Sequence, residues 1–134
     1  MTIRIFLLGI FLCSFTANAE NIKCNPNGNQ AEMNQCAWQD YQIADQNLNE
    51  TWKKLMAKFK NDKIATTKLK TAQKAWIVFR DAELEAQFAC NPKDEPCWGS
   101  IEPLLRNGVL TDMTQQRTER LQKYIDHGLG VSME

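Results

Sequence analysis

The spacing of apolar residues between Gln30 and Phe59 places the strongest limit on the fold of this chain. Apolar side chains recur every three or four positions, at Met33, Ala37, Tyr41, Ala44, Leu48, Trp52, Leu55 and Phe59. That period places them on one face of an α-helix. A turn at residues 60–62, where Asn61 or Asp62 is suited to capping, then leads into a second predicted helix from Lys63 to Phe88.

The segment Ala72–Glu83 carries two apolar-rich stripes within that second helix. Ala72, Trp76 and Phe79 form one stripe, and the second contains Gln73, Ile77, Arg80 and Leu84. Two such stripes predict a central helix with neighbours on both sides and with Trp76 and Phe79 in the core. A guanidinium buried there needs a polar partner, so we expect Arg80 to meet Asp45 or Asn49 of the first helix.

The rest of the chain also predicts helices. Pro92, Pro96 and Gly99 end the second helix, and Ser100 is suited to capping a short helix that breaks at Asn107-Gly108. A last helix is predicted from Thr111 to Asp126, with Gly128 as its stop. No segment alternates as a strand. The fold class is therefore all-α, a small disulfide-stabilised bundle of three main helices plus a short one.

The N-terminus has the composition of a secretory signal peptide. Arg4 precedes an apolar run of about ten residues, which is too short to span a bilayer, and the small residues Ala17 and Ala19 close the segment. Leu12 before Cys13 argues against a lipoprotein. We expect cleavage after residue 19, a periplasmic protein formed by one domain over residues 20–128, and a flexible tail at 129–134.

Four cysteines remain after that cleavage, which predicts two disulfides in an exported protein. The sequence favours the local pairs Cys24–Cys36 and Cys90–Cys97, and crossed pairs between the two segments remain an alternative. A metal site is not expected, because neither pair has the Cys-x-x-Cys spacing and the chain has one histidine, His127.

The charge pattern and the polar residues exclude several classes of function. Sixteen basic and sixteen acidic residues are interspersed and give a formal net charge of zero, so no basic patch marks a nucleic-acid binder. Catalysis is not expected either. His127 lies in a last helical turn, the cysteines are paired, and Asp81 with Glu85 is typical of a solvated i, i+4 pair. No cofactor is implied.

An ordered set of residues spans nearly the whole mature chain. It comprises Cys24, Cys36, Ala44-Asp45, Leu48-Asn49, Gln73-x-x-Trp76-x-x-x-Arg80-Asp81-x-Glu83, Gly99-Ser100, Leu110-Thr111, Arg117 and Leu121. The set resembles the LprI family of lysozyme inhibitors, which are small exported bacterial domains. Within it, Asp45, Asn49, Gln73, Trp76, Arg80 and Arg117 are expected to form a structural core motif.

One departure from the family pattern concerns the second pair of cysteines. Members often carry a cysteine directly after the Arg-Asp-x-Glu run and another just before the Leu-Thr pair. Leu84 and the residues near Gly108 stand at those places here, and cysteines occur instead at Cys90 and Cys97. The family's disulfide pattern therefore does not transfer to the second half of this chain.

The resemblance implies an inhibitor of a peptidoglycan-degrading hydrolase, either a lysozyme-like enzyme or an amidase. The inhibitor would guard the cell wall, in one version as an immunity protein against a rival's toxin. An inhibitor needs a rigid protrusion, and the Cys90–Cys97 loop with its flank fits that need. Its candidate partner-binding residues are Asp94, Glu95, Trp98, Gly99 and Ser100.

Two alternatives remain open at this point. Trp98 would anchor the partner in the inhibitor reading, but it is also suited to folding back on the bundle, which would leave the loop a simple connector. A periplasmic binding or envelope-assembly module without a hydrolase target would fit the same helices and the same neutral charge.

Overall fold

The computed structural model describes residues 22–91, 93 and 97–130, and these form an all-α fold. Helix α1 spans Gln30–Lys58, α2 spans Lys63–Gln87 and α3 spans Glu102–His127. One 3-10 turn, Gly99–Ile101, precedes α3. The described residues contain no strand. The predicted fold class, three main helices with one short element, is confirmed.

Two side-chain contacts at opposite ends of the bundle show that α1 and α3 run parallel. Near their starts, the side-chain amide of Asn34 donates to the carbonyl of Ser100 at 2.9 Å. Near their ends, the ammonium of Lys58 donates to the carbonyl of Ile125. The chain therefore goes up along α1, down along α2 and up again along α3.

The core is a set of leucines contributed by all three helices. Leu48, Leu55, Leu69 and Leu121 form one cluster, and Leu55 and Leu121 are fully shielded from solvent. Burying a leucine side chain stabilises a fold by roughly 1.5–3 kcal/mol. Half-buried side chains surround the cluster, namely Trp52, Met56, Phe59, Trp76, Tyr124 and Ile125.

Helix α2 is peripheral, so the prediction of a central helix is wrong. The backbones of α1 and α3 approach each other far more closely than either approaches α2. Phe79, predicted in the core, is 56% exposed, and its neighbour Val78 is 70% exposed. The inner face of α2 instead passes through Leu69, Trp76 and Leu84. Ala72 and Phe79, from the first stripe, therefore face solvent with no neighbouring helix to cover them.

Capping residues fix the starts of α1 and α2 and the end of α3. Asn29 caps α1 through a reciprocal pair of bonds, in which its side chain accepts from the Glu32 amide and the Glu32 carboxylate accepts from the Asn29 amide. Asp62 caps α2 by accepting from the Ala65 amide at 2.8 Å. Gly128, with φ of 90°, follows the last residue of α3, as predicted.

Helix α3 is continuous across Asn107-Gly108, so the predicted break there is wrong. The Asn107 side chain donates to the Pro103 carbonyl, and the Thr111 hydroxyl donates to the Asn107 carbonyl. Both bonds join residues four positions apart, as in a continuous helix, so the polar side chains do not interrupt it. A helical glycine costs about 1 kcal/mol relative to alanine, which packing along α1 can offset. Ser100 does not cap a helix either, since Ile101 precedes α3 without a side-chain cap.

Both local disulfides are present. The Cα atoms of Cys24 and Cys36 lie 4.6 Å apart, and those of Cys90 and Cys97 lie 6.0 Å apart. The first bridge holds the entry segment against α1, and the second closes the loop that follows α2. The predicted signal peptide at residues 1–19 and most of the predicted tail, residues 131–134, lie outside the described part of the chain.

Candidate functional site

The predicted binding loop ends in an aromatic contact on α2. The Trp98 ring meets the Phe88 ring nearly edge-on at 5.3 Å, and Phe88 is buried. Trp98 itself remains 38% exposed, so it both folds back on the bundle and presents a face to solvent. Asp94 and Glu95, the predicted acidic contacts, lie outside the described residues.

Gly99 and Ser100 connect that loop to the start of α3. Gly99 has φ of 60°, a conformation that favours glycine over residues with a side chain. Ser100 is exposed, and its carbonyl accepts the hydrogen bond from Asn34 of α1. The backbone after Trp98 is therefore fixed to two helices, which limits how far the tryptophan can move.

Arg106 of α3 ties the same end of the bundle together. Its guanidinium donates to Glu85 at 2.6 Å and to Glu102 at 2.8 Å, and it stacks over Phe88 at 5.0 Å. The hydrogen bonds to Glu85 and Glu102 raise the pKa of Arg106 above its ordinary value. The hydrogen bond and charge of Arg106 lower the pKa of Glu85.

Four of the six residues assigned to the core motif meet where α2 crosses α3. Two guanidinium groups lie against the Trp76 ring, that of Arg80 at 5.3 Å and that of Arg117 at 5.7 Å from its centroid. The Nε of Arg117 donates to the side-chain carbonyl of Gln73 at 2.9 Å. Arg117 is half-buried, and this burial lowers its pKa. Because the hydrogen bond and the stacking both fix it, this guanidinium has a defined orientation.

The other two, Asp45 and Asn49, are elsewhere, and the predicted pairing with Arg80 is wrong. Arg80 donates to its neighbour Asp81 through two nitrogens, at 2.7 and 2.9 Å. The Asn49 amide donates to the Asp45 carboxylate at 2.9 Å on the outer side of α1. Leu48, next to Asn49, occupies the inner face of α1, whereas Asn49 is exposed.

A groove opens beside the Trp76 cluster that sequence reasoning missed. It has a volume of about 260 Å³ and runs between α2 and α3. Its lining residues are Trp76, Phe79, Met113, Gln116, Arg117 and Arg120. The period of the apolar residues could not reveal it, because the same period assigned Phe79 to the core. We call these six residues the Arg–Trp groove.

The chemistry of both regions suits non-covalent recognition. Each combines partly exposed aromatic rings with charged groups that hydrogen bonds hold in place. Tryptophan and arginine are the residue types that most often dominate protein interfaces. The described residues include no helix long and apolar enough to cross a membrane.

Comparison with known proteins identifies the family. The family described as "Lysozyme inhibitor LprI" matches residues 22–121. The chain belongs to the LprI family. An uncharacterized protein of Rhizobium meliloti (strain 1021) is 34% identical over 131 residues, which covers 87% of this chain and 90% of that protein. No solved structure matches the chain significantly.

The match to the LprI family runs from the entry segment to Leu121 and thus includes α1, α2 and most of α3. It contains the Arg–Trp groove and the loop with Trp98. Both candidate surfaces are therefore parts of the family domain rather than additions to it. The family is described as an inhibitor, not as an enzyme.

Proposed function

We propose that this LprI-family protein is a stoichiometric inhibitor of a peptidoglycan-degrading hydrolase. The observation that carries the proposal is the family match across residues 22–121, which covers α1, α2 and most of α3. The fold supports it physically. Two disulfides and three long helices make a rigid body, and a rigid binder loses less conformational entropy when it enters a cleft.

The loop that follows α2 is our candidate for one segment that contacts the hydrolase. Trp98 is exposed on one face, and Phe88 and the Cys90–Cys97 bridge hold it from behind. Asp94 and Glu95 add negative charge in the same loop. Such charge would speed association with a cationic lysozyme while the tryptophan supplies most of the affinity.

Titration of mature protein against a panel of hydrolases tests the proposal. The panel contains lysozymes and peptidoglycan amidases, with dye-labelled cell wall as substrate and size-exclusion chromatography to detect the complex. We expect loss of activity at a one-to-one ratio with at least one hydrolase. The absence of inhibition and of complex formation with every hydrolase would overturn the proposal, and recovery of a stable envelope partner would then favour an assembly module.

Trp98→Ala tests the role of the loop separately from the fold. We expect inhibition to weaken by at least about tenfold, the scale of a residue that contributes more than 1 kcal/mol to an interface. Circular dichroism and urea unfolding report the folded fraction. Unchanged inhibition per folded molecule would show that the loop is only a connector.

Export and an immunity role complete the proposal. An inhibitor of wall hydrolases acts outside the cytoplasm, and the N-terminal sequence is typical of a secretory signal. Mass spectrometry of periplasmic protein should find Glu20 as the first residue. A gene for a cell-wall hydrolase next to the gene of this protein would support the immunity version, and inhibition restricted to host lysozymes would contradict it.

A further inference from the structure

Phe79 projects from a solvent-exposed surface of α2 that carries several alanines. Positions 72, 75, 82 and 86 share its stripe at helical spacing, and all four are exposed alanines. Phe79 itself is 56% exposed and forms one wall of the Arg–Trp groove. The alanines leave one side of the ring accessible, while Trp76 and Glu83 lie one helical turn to either side of it. The ring is therefore able to enter a cavity of a partner.

The opposite wall of the groove is cationic. Arg117 and Arg120 both line it, and Gln73 and Trp76 fix the orientation of the Arg117 guanidinium. Within the described residues, no carboxylate forms an ion pair with Arg117. By contrast, Arg80 and Arg106 each pair with carboxylates of this chain. A half-buried guanidinium that has only an amide and a ring as partners is suited to receiving an anion.

The chemistry of that anion follows from the shape of the guanidinium. Its planar fork can donate two parallel hydrogen bonds to one carboxylate. Because the guanidinium is already oriented, the side chain loses little conformational entropy on binding. Glycoside hydrolases place two carboxylates on either side of the scissile bond, in a cleft that also binds apolar faces of the sugar. Zinc-dependent enzymes such as many amidases instead present a cation to their inhibitors.

We propose that the Arg–Trp groove is a hydrolase-binding surface, with Phe79 entering the substrate cleft and Arg117 facing its catalytic carboxylates. The proposal rests on the proposed inhibitor function and narrows it. It selects carboxylate-based glycoside hydrolases over metal-dependent amidases. The loop with Trp98 lies outside this groove and would make a separate contact.

Phe79→Ala is the decisive variant, and Val78→Ala is its matched control. Both side chains are exposed on α2, but Val78 lies about 100° further round the helix and does not line the groove. We expect Phe79→Ala to raise the inhibition constant for a lysozyme-type hydrolase about thirtyfold, as for an interface hot spot, while Val78→Ala changes it less than about twofold.

Arg117→Lys adds a second measurement that separates binding from folding. It keeps the charge and removes the fork, so inhibition should weaken while circular dichroism shows a folded protein. The inhibition constant of wild type should also rise with salt concentration, because ion pairs contribute to binding.

The outcomes distinguish failure of this surface from failure of the inhibitor function. If wild type inhibits a glycoside hydrolase and Phe79→Ala inhibits equally well, the groove proposal is overturned and the inhibitor function stands. If wild type inhibits an amidase alone, the choice of carboxylate enzymes is wrong. If wild type inhibits no hydrolase, the proposed function fails, and this proposal fails with it.

Discussion

Replacement of Arg80 tests whether this residue acts within α2 or across the bundle. Its side chain is only 13% exposed, while that of its partner Asp81 is 59% exposed. Loss of the stem removes two methylene groups, at about 0.8 kcal/mol each. Stacking on Trp76 adds about 0.5–1 kcal/mol, and the pair with Asp81 adds about 0.2–1 kcal/mol. We therefore expect Arg80→Ala to lower the free energy of unfolding by about 2.3–3.6 kcal/mol.

The size of that loss does not by itself identify the partner of Arg80, because breaking a buried ion pair would cost a similar amount, about 3–5 kcal/mol. Double-mutant cycles identify the partner. In the structure Asp45 bonds Asn49 and not Arg80, so Arg80→Ala and Asp45→Ala should be additive within about 0.5 kcal/mol. The cycle with Asp81→Ala should instead give a coupling of about 0.2–1 kcal/mol.

Urea unfolding followed by circular dichroism, with the disulfides kept oxidised, supplies the four free energies that each cycle needs. The m-value should stay constant across the variants, which shows that the unfolded states are comparable. A coupling of about 2 kcal/mol or more between positions 80 and 45 would refute the reasoning, since it would require the inter-helix pair that the structure lacks.

Three further predictions concern stability. The Thr114 hydroxyl is buried without a hydrogen-bond partner in the described part of the chain; Thr114→Val keeps the shape and should raise the free energy of urea unfolding by about 1 kcal/mol, whereas a loss would reveal a partner. Replacing Cys24 and Cys36 by serine opens a short loop and should cost about 3 kcal/mol in the same assay, and an unchanged midpoint would contradict this. The lowered pKa of Glu85 means that its pair with Arg106 stabilises the fold above the unfolded-state pKa near 4.5 and loses this effect as pH falls through the folded-state pKa. The melting-temperature difference between wild type and Glu85→Gln should therefore shrink in acid. A difference that grows in acid would contradict a stabilising ion pair between Glu85 and Arg106.

Features governed by nearby residues were predictable from the sequence. The start of α2 follows from Asp62, which accepts the amide hydrogen of a residue three positions on. The stop of α3 follows from Gly128, which adopts a positive φ. Both disulfides join cysteines close in sequence, 12 and 7 positions apart. In each case the decisive interaction lies within one or two turns of chain.

Features that depend on which helices are neighbours were not predictable in this way. The period of α2 shows that Phe79 is apolar and on one stripe, but only the close pairing of α1 with α3 leaves that stripe uncovered. The sequence predicted a partner for Arg80 on α1, but Arg80 forms its ion pair with the adjacent Asp81. Asn107-Gly108 has the composition of a break, yet bonds within the helix and the packing along α1 keep α3 continuous.

The peripheral position of α2 bears directly on where a partner binds. Single exposed apolar residues are common on protein surfaces, so Val78 and Ile64 need no explanation of their own. Phe79 differs because it borders a groove that also contains Arg117, a cation held in place from two sides. An aromatic ring and an oriented guanidinium on a rigid helix pair provide both contact area and direction. That combination, rather than exposure alone, is the reason for proposing the α2–α3 surface as the binding surface.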